Sequence, residues 1–272
     1  MRVNFDIEKF CPGQSQCGTE GGRFGFCYEN GDLAKALKFL EDNNVKVSGL
    51  HLHVSSKTRS LEIYKAIAEM VIKIKKEFNL ELNYVDIGGG FFGGLNDKPQ
   101  FEDYIKVVSD ILTPEILPEK TILIVEPGMS LIGSPIDYVT SVIDVKDTTY
   151  NRFVITDGTR TTIDPLMKKN KYFYKYEYKN KNKKKIDKQV ICGYTCMEND
   201  RLYIEKNSLE LEVGDRIIYE KVGAYTMCLT PLFIKYFPDV YLLEKDKLIK
   251  VRKAWTSYQY IQNSMIEGED CK

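Results

Sequence analysis

Only two histidines occur in the 272 residues, and they stand one residue apart in His51-Leu52-His53-Val54-Ser55-Ser56. Along an extended strand that spacing puts both imidazoles on one face. A second cluster is Asp86-Ile87-Gly88-Gly89-Gly90-Phe91, where three glycines follow an apolar run. Residues without side chains let backbone N–H groups close on an anion, and a following helix adds its positive N-terminal end. A third is Glu126-Pro127-Gly128, a carboxylate where an apolar strand meets a turn. Taken singly, each has a plainer reading: a satisfied core histidine, an ordinary glycine turn, a loop-capping acid. Neither the Rossmann nor the Walker spacing fits the glycines. Two more clusters follow downstream. Gly193-Tyr194-Thr195-Cys196-Met197-Glu198-Asn199-Asp200 sets a thiol beside acids, and Gly223-Ala224-Tyr225-Thr226 is a turn carrying a tyrosine.

The elements that must carry these residues alternate between strand and helix in the first half. Residues 32–43 place Leu33, Leu37 and Leu40 on one helical face, with Asp32 as N-cap. Residues 60–78 place Leu61, Tyr64, Ile67, Val71, Ile74 and Phe78 along one stripe, opened by Ser60. A third helix is expected over Phe101–Leu112. Strands are expected over Val45–Val54, Leu82–Ile87 and Thr121–Val125, the last a continuous apolar run suited to burial on both faces. The three clusters of the first half lie at the ends of these strands, where β/α architectures place their active sites. After Pro135 the pattern turns to strands with little helix between them. The expected organisation is therefore α/β: a partial (β/α)8 barrel over 1–134 and a mostly β domain over 135–272. About four β-α units precede the β domain where a closed barrel needs eight strands, so a front section is expected to be missing. The tyrosine- and lysine-rich stretch Lys168–Lys188 reads as a solvated hairpin or surface loop.

Composition bounds the alternatives. Lys plus Arg and Asp plus Glu are 39 each, so no basic excess points to a nucleic-acid partner. Hydrophobic residues make up 43%, enough to build cores, yet no apolar run approaches a membrane span. The seven cysteines, Cys11, Cys17, Cys27, Cys192, Cys196, Cys228 and Cys271, include no Cys-x-x-Cys pair. They read as reduced thiols of a cytoplasmic protein, with neither a disulfide framework nor a metal site expected.

In their order, HLHVSS, YVDIGGGFFG, VEPG, GYTCMENDRL and VGDRIIYEKVGAYT resemble the pyridoxal-phosphate-dependent decarboxylases of the ornithine, diaminopimelate and arginine group. The resemblance runs from about residue 2 to about residue 240. It implies an alanine-racemase-type fold, pyridoxal 5'-phosphate as cofactor, and an amino-acid carboxy-lyase of polyamine or lysine metabolism. It further implies that His53 stacks on the pyridine ring and that Ser56 with the backbone of Gly88, Gly89 and Gly90 holds the phosphate. Glu126 would pair with the ring nitrogen, and Tyr225 would reach the phosphate. Cys196 would come from the second subunit of a homodimer and donate a proton. Asp157 would face the substrate side chain, and Asp200 is a further candidate there.

Three features depart from the family pattern. The Tyr-Ala-x-Lys-like motif that supplies the Schiff-base lysine does not occur, so a longer chain or a complementing N-terminal fragment is expected to carry it. Met129 stands where the family writes arginine after Glu-Pro-Gly, and Met197 stands where an acid follows the cysteine. These departures leave two other readings open: a non-catalytic binding or regulatory relative, and a decarboxylase of an unusual or carrier-linked amino acid.

Overall fold

The computed structural model describes residues 1–264. Cys271, counted above among the thiols, lies outside the described residues, as does the end of the 135–272 range. Two compact units divide the chain, Met1–Ile136 and Asp137–Lys272.

The first unit is built on parallel strands. β1 (Val3–Asn4) pairs with β2 (Phe26–Cys27), and β3 (Gly49–His51), β4 (Tyr84–Asp86) and β5 (Ile122–Ile124) form a second parallel set in that order. An Arg2–His51 bridge joins the two sets, giving the row β2-β1-β3-β4-β5. Helices α1 (Asp32–Asp42), α2 (Leu61–Glu77) and α3 (Phe101–Leu112) connect these strands. The apolar stripe of α2 explains its placement: Ile63, Ile67, Val71 and Ile74 are fully buried against the strands. Each such side chain contributes roughly 1.5–3 kcal/mol on burial.

Several local expectations are corrected in this unit. Gly31, at φ 81°, caps α1, and Asp32 lies inside the first turn, where its negative charge favours the helix end. Ser60 stands at the N-cap of α2 without a capping hydrogen bond, and its hydroxyl donates to the Gln14 side chain. The strand expected over 45–54 spans only Gly49–His51. Ile122 of β5 is 68% exposed and Ile124 37%. β5 pairs on one side only, with β4, so its outer surface is uncovered among the described residues.

The second unit begins after the short helix α4 (Met129–Ile132) and is a six-stranded sheet. Its strands are β6 (Tyr138–Asp147), β7 (Arg152–Thr156), β8 (Phe173–Glu177), β9 (Lys185–Cys192), β10 (Arg201–Leu209) and β11 (Arg216–Glu220), in the order β10-β9-β7-β6-β11-β8. All pairs are antiparallel except β7 with β9. The one-turn helix α5 (Arg160–Ile163) follows β7, and a hairpin of β12 (Val240–Glu244) and β13 (Lys247–Arg252) closes the unit. The fold is thus mixed α/β, a partial parallel-barrel unit followed by a mostly β unit.

The stretch 168–188 is not a solvated loop. Tyr172, Tyr174, Tyr176 and Tyr178 recur every second residue, so a strand delivers them to one face. There they pack with Tyr203 and Tyr219, Tyr174 stacking on Tyr203 at 4.3 Å between centroids. Tyr176 donates to Glu205 at 2.7 Å, and Tyr174 bonds the same oxygen. Lys183, in the middle of the lysine run, is 1% exposed and pairs with fully buried Asp215 at 2.7 Å and with Glu212 at 2.6 Å.

Candidate active site

Three strand ends of the first unit converge. β3 runs out into His53 and Ser56, β4 into the glycine loop, and β5 into Glu126. Gly88 and Gly90 have φ of 70° and 93°, a region that costs most other residues dearly. Their lack of a side chain is also a packing requirement. A Cβ on Gly88 would strike the His53 imidazole, with Nδ1 at 2.5 Å. One on Gly89 would strike the Glu126 carbonyl, and one on Gly90 would sit 2.7 Å from Ser56 Oγ. The loop therefore closes on the side chains of His53 and Ser56 and on the backbone of Glu126, residues that the sequence places at neighbouring strand ends.

Other bonds fix this arrangement. The Gly88 N–H donates to Asp86 Oδ1 at 2.8 Å, and the Glu126 N–H donates to the Gly88 carbonyl at 2.9 Å. From below, fully buried Tyr64 of α2 donates to the Gly89 carbonyl at 2.7 Å. Among the described residues, the N–H groups of Gly89 and Gly90 find no protein acceptor. Ser56 Oγ lies 3.5 Å from His53 Nε2, and Arg2 Nη2 donates to the His53 carbonyl at 3.3 Å. Burial first, then the positive charge of Arg2, pushes the His53 imidazole below its ordinary pKa, which keeps the ring neutral.

Sequence reasoning did not assign roles to Tyr64, Arg2, Asp86 or His51. Tyr64 was counted as one more apolar member of the α2 stripe, and nothing in the stripe marks a hydroxyl aimed at a glycine carbonyl. Asp86 and His51 had a readable signal: each ends a strand beside a candidate residue, and the two are register partners. Their side chains meet at 2.7 Å, Nδ1 to Oδ2.

The remaining candidates belong to the second unit. Asp157 follows directly on β7, and its Oδ1 accepts the Ser141 N–H at 2.8 Å. It lines a cavity of about 430 Å³ with Tyr138, Tyr194, Lys235 and Trp255. Cys196 is exposed on the turn between β9 and β10. Asp200 is 2% exposed and accepts from the Arg160 N–H at 2.7 Å, the Thr195 N–H at 3.2 Å and the Thr195 hydroxyl at 2.6 Å. Those bonds commit its carboxylate to shaping the Cys196 turn. The open acid beside Cys196 is Glu198, whose side chain is 92% exposed and reaches Arg201 at 2.7 Å. Tyr225 is 63% exposed in a turn with φ 62°.

The residues of the first unit fit pyridoxal phosphate. Unpartnered loop N–H groups and a serine hydroxyl suit a phosphate. A neutral, half-buried imidazole offers a flat face to an aromatic ring. Among the described residues, no hydrogen bond or ion pair reaches the Glu126 carboxylate, which leaves it open to a ring nitrogen. His51, Asp86 and Glu126 each bring one ligand-type atom within 4.8 Å of the others. No helix among the described residues is long and apolar enough to cross a membrane.

Comparison with known proteins bears on the same residues. Residues 1–133 match the pyridoxal binding domain of the pyridoxal-dependent decarboxylases, and residues 105–223 match their C-terminal sheet domain. The diaminopimelate decarboxylase of Aquifex aeolicus is 24% identical over 270 residues, covering 96% of this chain and 62% of the relative. That of Staphylococcus aureus is 26% identical over 278 residues, covering 97% and 65%. The crystal structure of diaminopimelate decarboxylase from M. jannaschii shares the fold with a TM-score of 0.78 at 22% identity, over 98% of this chain and 63% of that one. The same enzyme has been solved in co-complex with L-lysine. The chain therefore spans somewhat under two thirds of the length of these relatives. With both domain matches falling in sequence order over residues 1–223, the chain belongs to the family of pyridoxal-dependent ornithine, diaminopimelate and arginine decarboxylases.

Proposed function

We propose that this chain is part of a pyridoxal-phosphate-dependent amino-acid carboxy-lyase. The observation that carries the reading is the closure of the Gly88–Gly90 loop on His53, Ser56 and Glu126. When bound, pyridoxal phosphate supplies an electron sink for the pair left on Cα as CO2 departs. Ser56 Oγ and the Gly89 and Gly90 N–H groups hold the phosphate, with Tyr64 supporting the loop from beneath. The neutral His53 imidazole lies against one ring face. Glu126 accepts from the protonated ring nitrogen and sustains that protonation. Tyr225 is the further phosphate contact that the family resemblance assigns. Asp157 faces the substrate side chain across its cavity, and Asp200 holds the turn that presents Cys196. The Cys196 thiol then delivers a proton to the carbon that has lost CO2, a general-acid step.

The substrate is an amino acid of the basic or diamino class, in keeping with the ornithine, diaminopimelate and arginine enzymes of the family. The active assembly is a homodimer in the cytoplasm, or one completed by a complementing N-terminal segment that carries the anchoring lysine. A second reading, a binding relative without catalysis, draws on Met129, which brings no charge to the place where the family has arginine. The two separate by a single assay: release of CO2 from carboxyl-labelled ornithine, arginine, lysine and diaminopimelate by the cofactor-loaded protein in the presence of the lysine-bearing segment. Release from any of them, abolished by Cys196→Ala, supports the lyase. Saturable cofactor binding with no CO2 from any substrate favours the second reading.

A further inference from the structure

Glu126 presents a puzzle of orientation. Its backbone is pinned to Gly88, yet its side chain is exposed and makes no hydrogen bond among the described residues. Three rotatable bonds separate that backbone from the carboxylate, so something else must aim it. The nearest candidates are the strand-end pair His51 and Asp86. Both oxygens of Asp86 are engaged, Oδ1 with the Gly88 N–H at 2.8 Å and Oδ2 with His51 Nδ1 at 2.7 Å. Asp86 thus ties the glycine loop to the imidazole. The side chains of His51 and Asp86 are 19% and 14% exposed, so the pair is set within the unit. A Glu126 oxygen lies within 4.8 Å of a His51 nitrogen and of an Asp86 oxygen. Two carboxylates that close repel each other, and the imidazole shares their corner. The other charged or titratable groups facing this corner are Arg2 and His53.

We propose that His51 is a positioning residue for Glu126. Held by Asp86, it keeps the Glu126 carboxylate aimed at the place of the ring nitrogen instead of turned out to solvent. This rests on the cofactor reading above. Neither His51 nor Asp86 touches the cofactor in this scheme, and both act through Glu126.

The test is a titration of pyridoxal 5'-phosphate into the full chain, read by affinity and by the circular dichroism induced in the cofactor's absorption band. His51→Leu is expected to weaken binding about tenfold, the size of coupling found between contacting residues, and to diminish the induced signal. His51→Asn, whose amide can still donate to Asp86, restores both to within about threefold. In a Glu126→Gln background His51→Leu has no further effect, because its action runs through the residue already altered. Should His51→Leu fail to fold, Asp86→Asn takes its place in the same cycle, since its amide oxygen still accepts from Gly88 and only the bond to His51 changes. Equal losses from His51→Leu with and without Glu126→Gln overturn the proposal, as do wild-type affinity and signal in both His51 variants. Absence of any saturable signal in the unaltered chain instead refutes the cofactor reading itself.

Discussion

Replacing Gly88 by alanine tests whether the glycine loop is a fitted cradle or a passive turn. At φ 70° an alanine carries the left-handed penalty of roughly 1–2 kcal/mol. The new methyl also lands on the His53 side chain, with Nδ1 at 2.5 Å and Cγ at 2.6 Å. Relieving such overpacking costs a further 1–3 kcal/mol or so. The sum, about 2–5 kcal/mol, corresponds to a fall in Tm of roughly 4–20 °C for a chain of this size. The methyl can be accommodated only if the imidazole moves, so cofactor affinity falls with stability. Gly128→Ala is the matched control: its φ is −106° and a Cβ there meets nothing within 4 Å. That variant meets no clash and is expected to lose less stability than Gly88→Ala, and to keep the parental cofactor affinity. Thermal melts by circular dichroism and a pyridoxal phosphate titration of both variants decide the matter. A Gly88→Ala protein with parental Tm and affinity refutes the packing argument, and so does a Gly128→Ala protein that is the more damaged of the two.

Other expectations concern groups away from the loop. Lys183→Met leaves the buried Asp215 without its cation, which costs about 3–5 kcal/mol, measurable by urea unfolding; Asp215→Asn costs less, because Lys183 keeps its pairing with Glu212. Burial opposes ionisation of Asp215, but the hydrogen bonds from Lys183 and from the Glu212 and Lys179 N–H groups outweigh it, holding the carboxyl below its ordinary pKa. Its contribution is therefore complete above about pH 4 and is lost as pH falls through the lowered value, so Asp215→Asn flattens the acid limb of the stability curve. His53, whose burial favours the neutral ring, binds protons more weakly folded than unfolded. Stability should thus rise with pH up to about 6.5 and level off above it, and His53→Asn should reduce that slope. Exposed Cys196, Cys17 and Cys228 should react with a disulfide reagent in the native protein. Cys192, whose thiol burial pushes up to about 11, should react only on unfolding.

Much of the first unit was legible because its signals are local. Polar or glycine-rich endings on short apolar runs mark the strand ends, and a 3.6-residue stripe marks α2, so His53, Ser56, Gly88–Gly90 and Glu126 could be read as neighbours. What escaped was whatever depends on tertiary partners. Ser60 looked like a cap, but Gln14 recruits its hydroxyl from 46 residues away. Asp200 looked like a ligand because it follows Cys196 closely, yet folding buries it under the Arg160 and Thr195 donors. In 168–188, counting lysines hid the every-second-residue tyrosines that pack the edge strand β8 against the core, and it gave no hint that Lys183 finds two acids around residues 212–215. The outer side of β5 shows the converse: an apolar run read as doubly covered is covered on one side only among the described residues.

The central claim is that the Gly88–Gly90 loop, Ser56, His53 and Glu126 together receive pyridoxal phosphate. Its most direct test is an amide and phosphorus NMR titration of the full chain with that compound. Saturable shifts of the Gly89 and Gly90 amides, in step with the phosphate resonance and with the His53 ring protons, are the predicted result. Phosphate binding that leaves those amides and the His53 ring unmoved, or no binding at all, would contradict it.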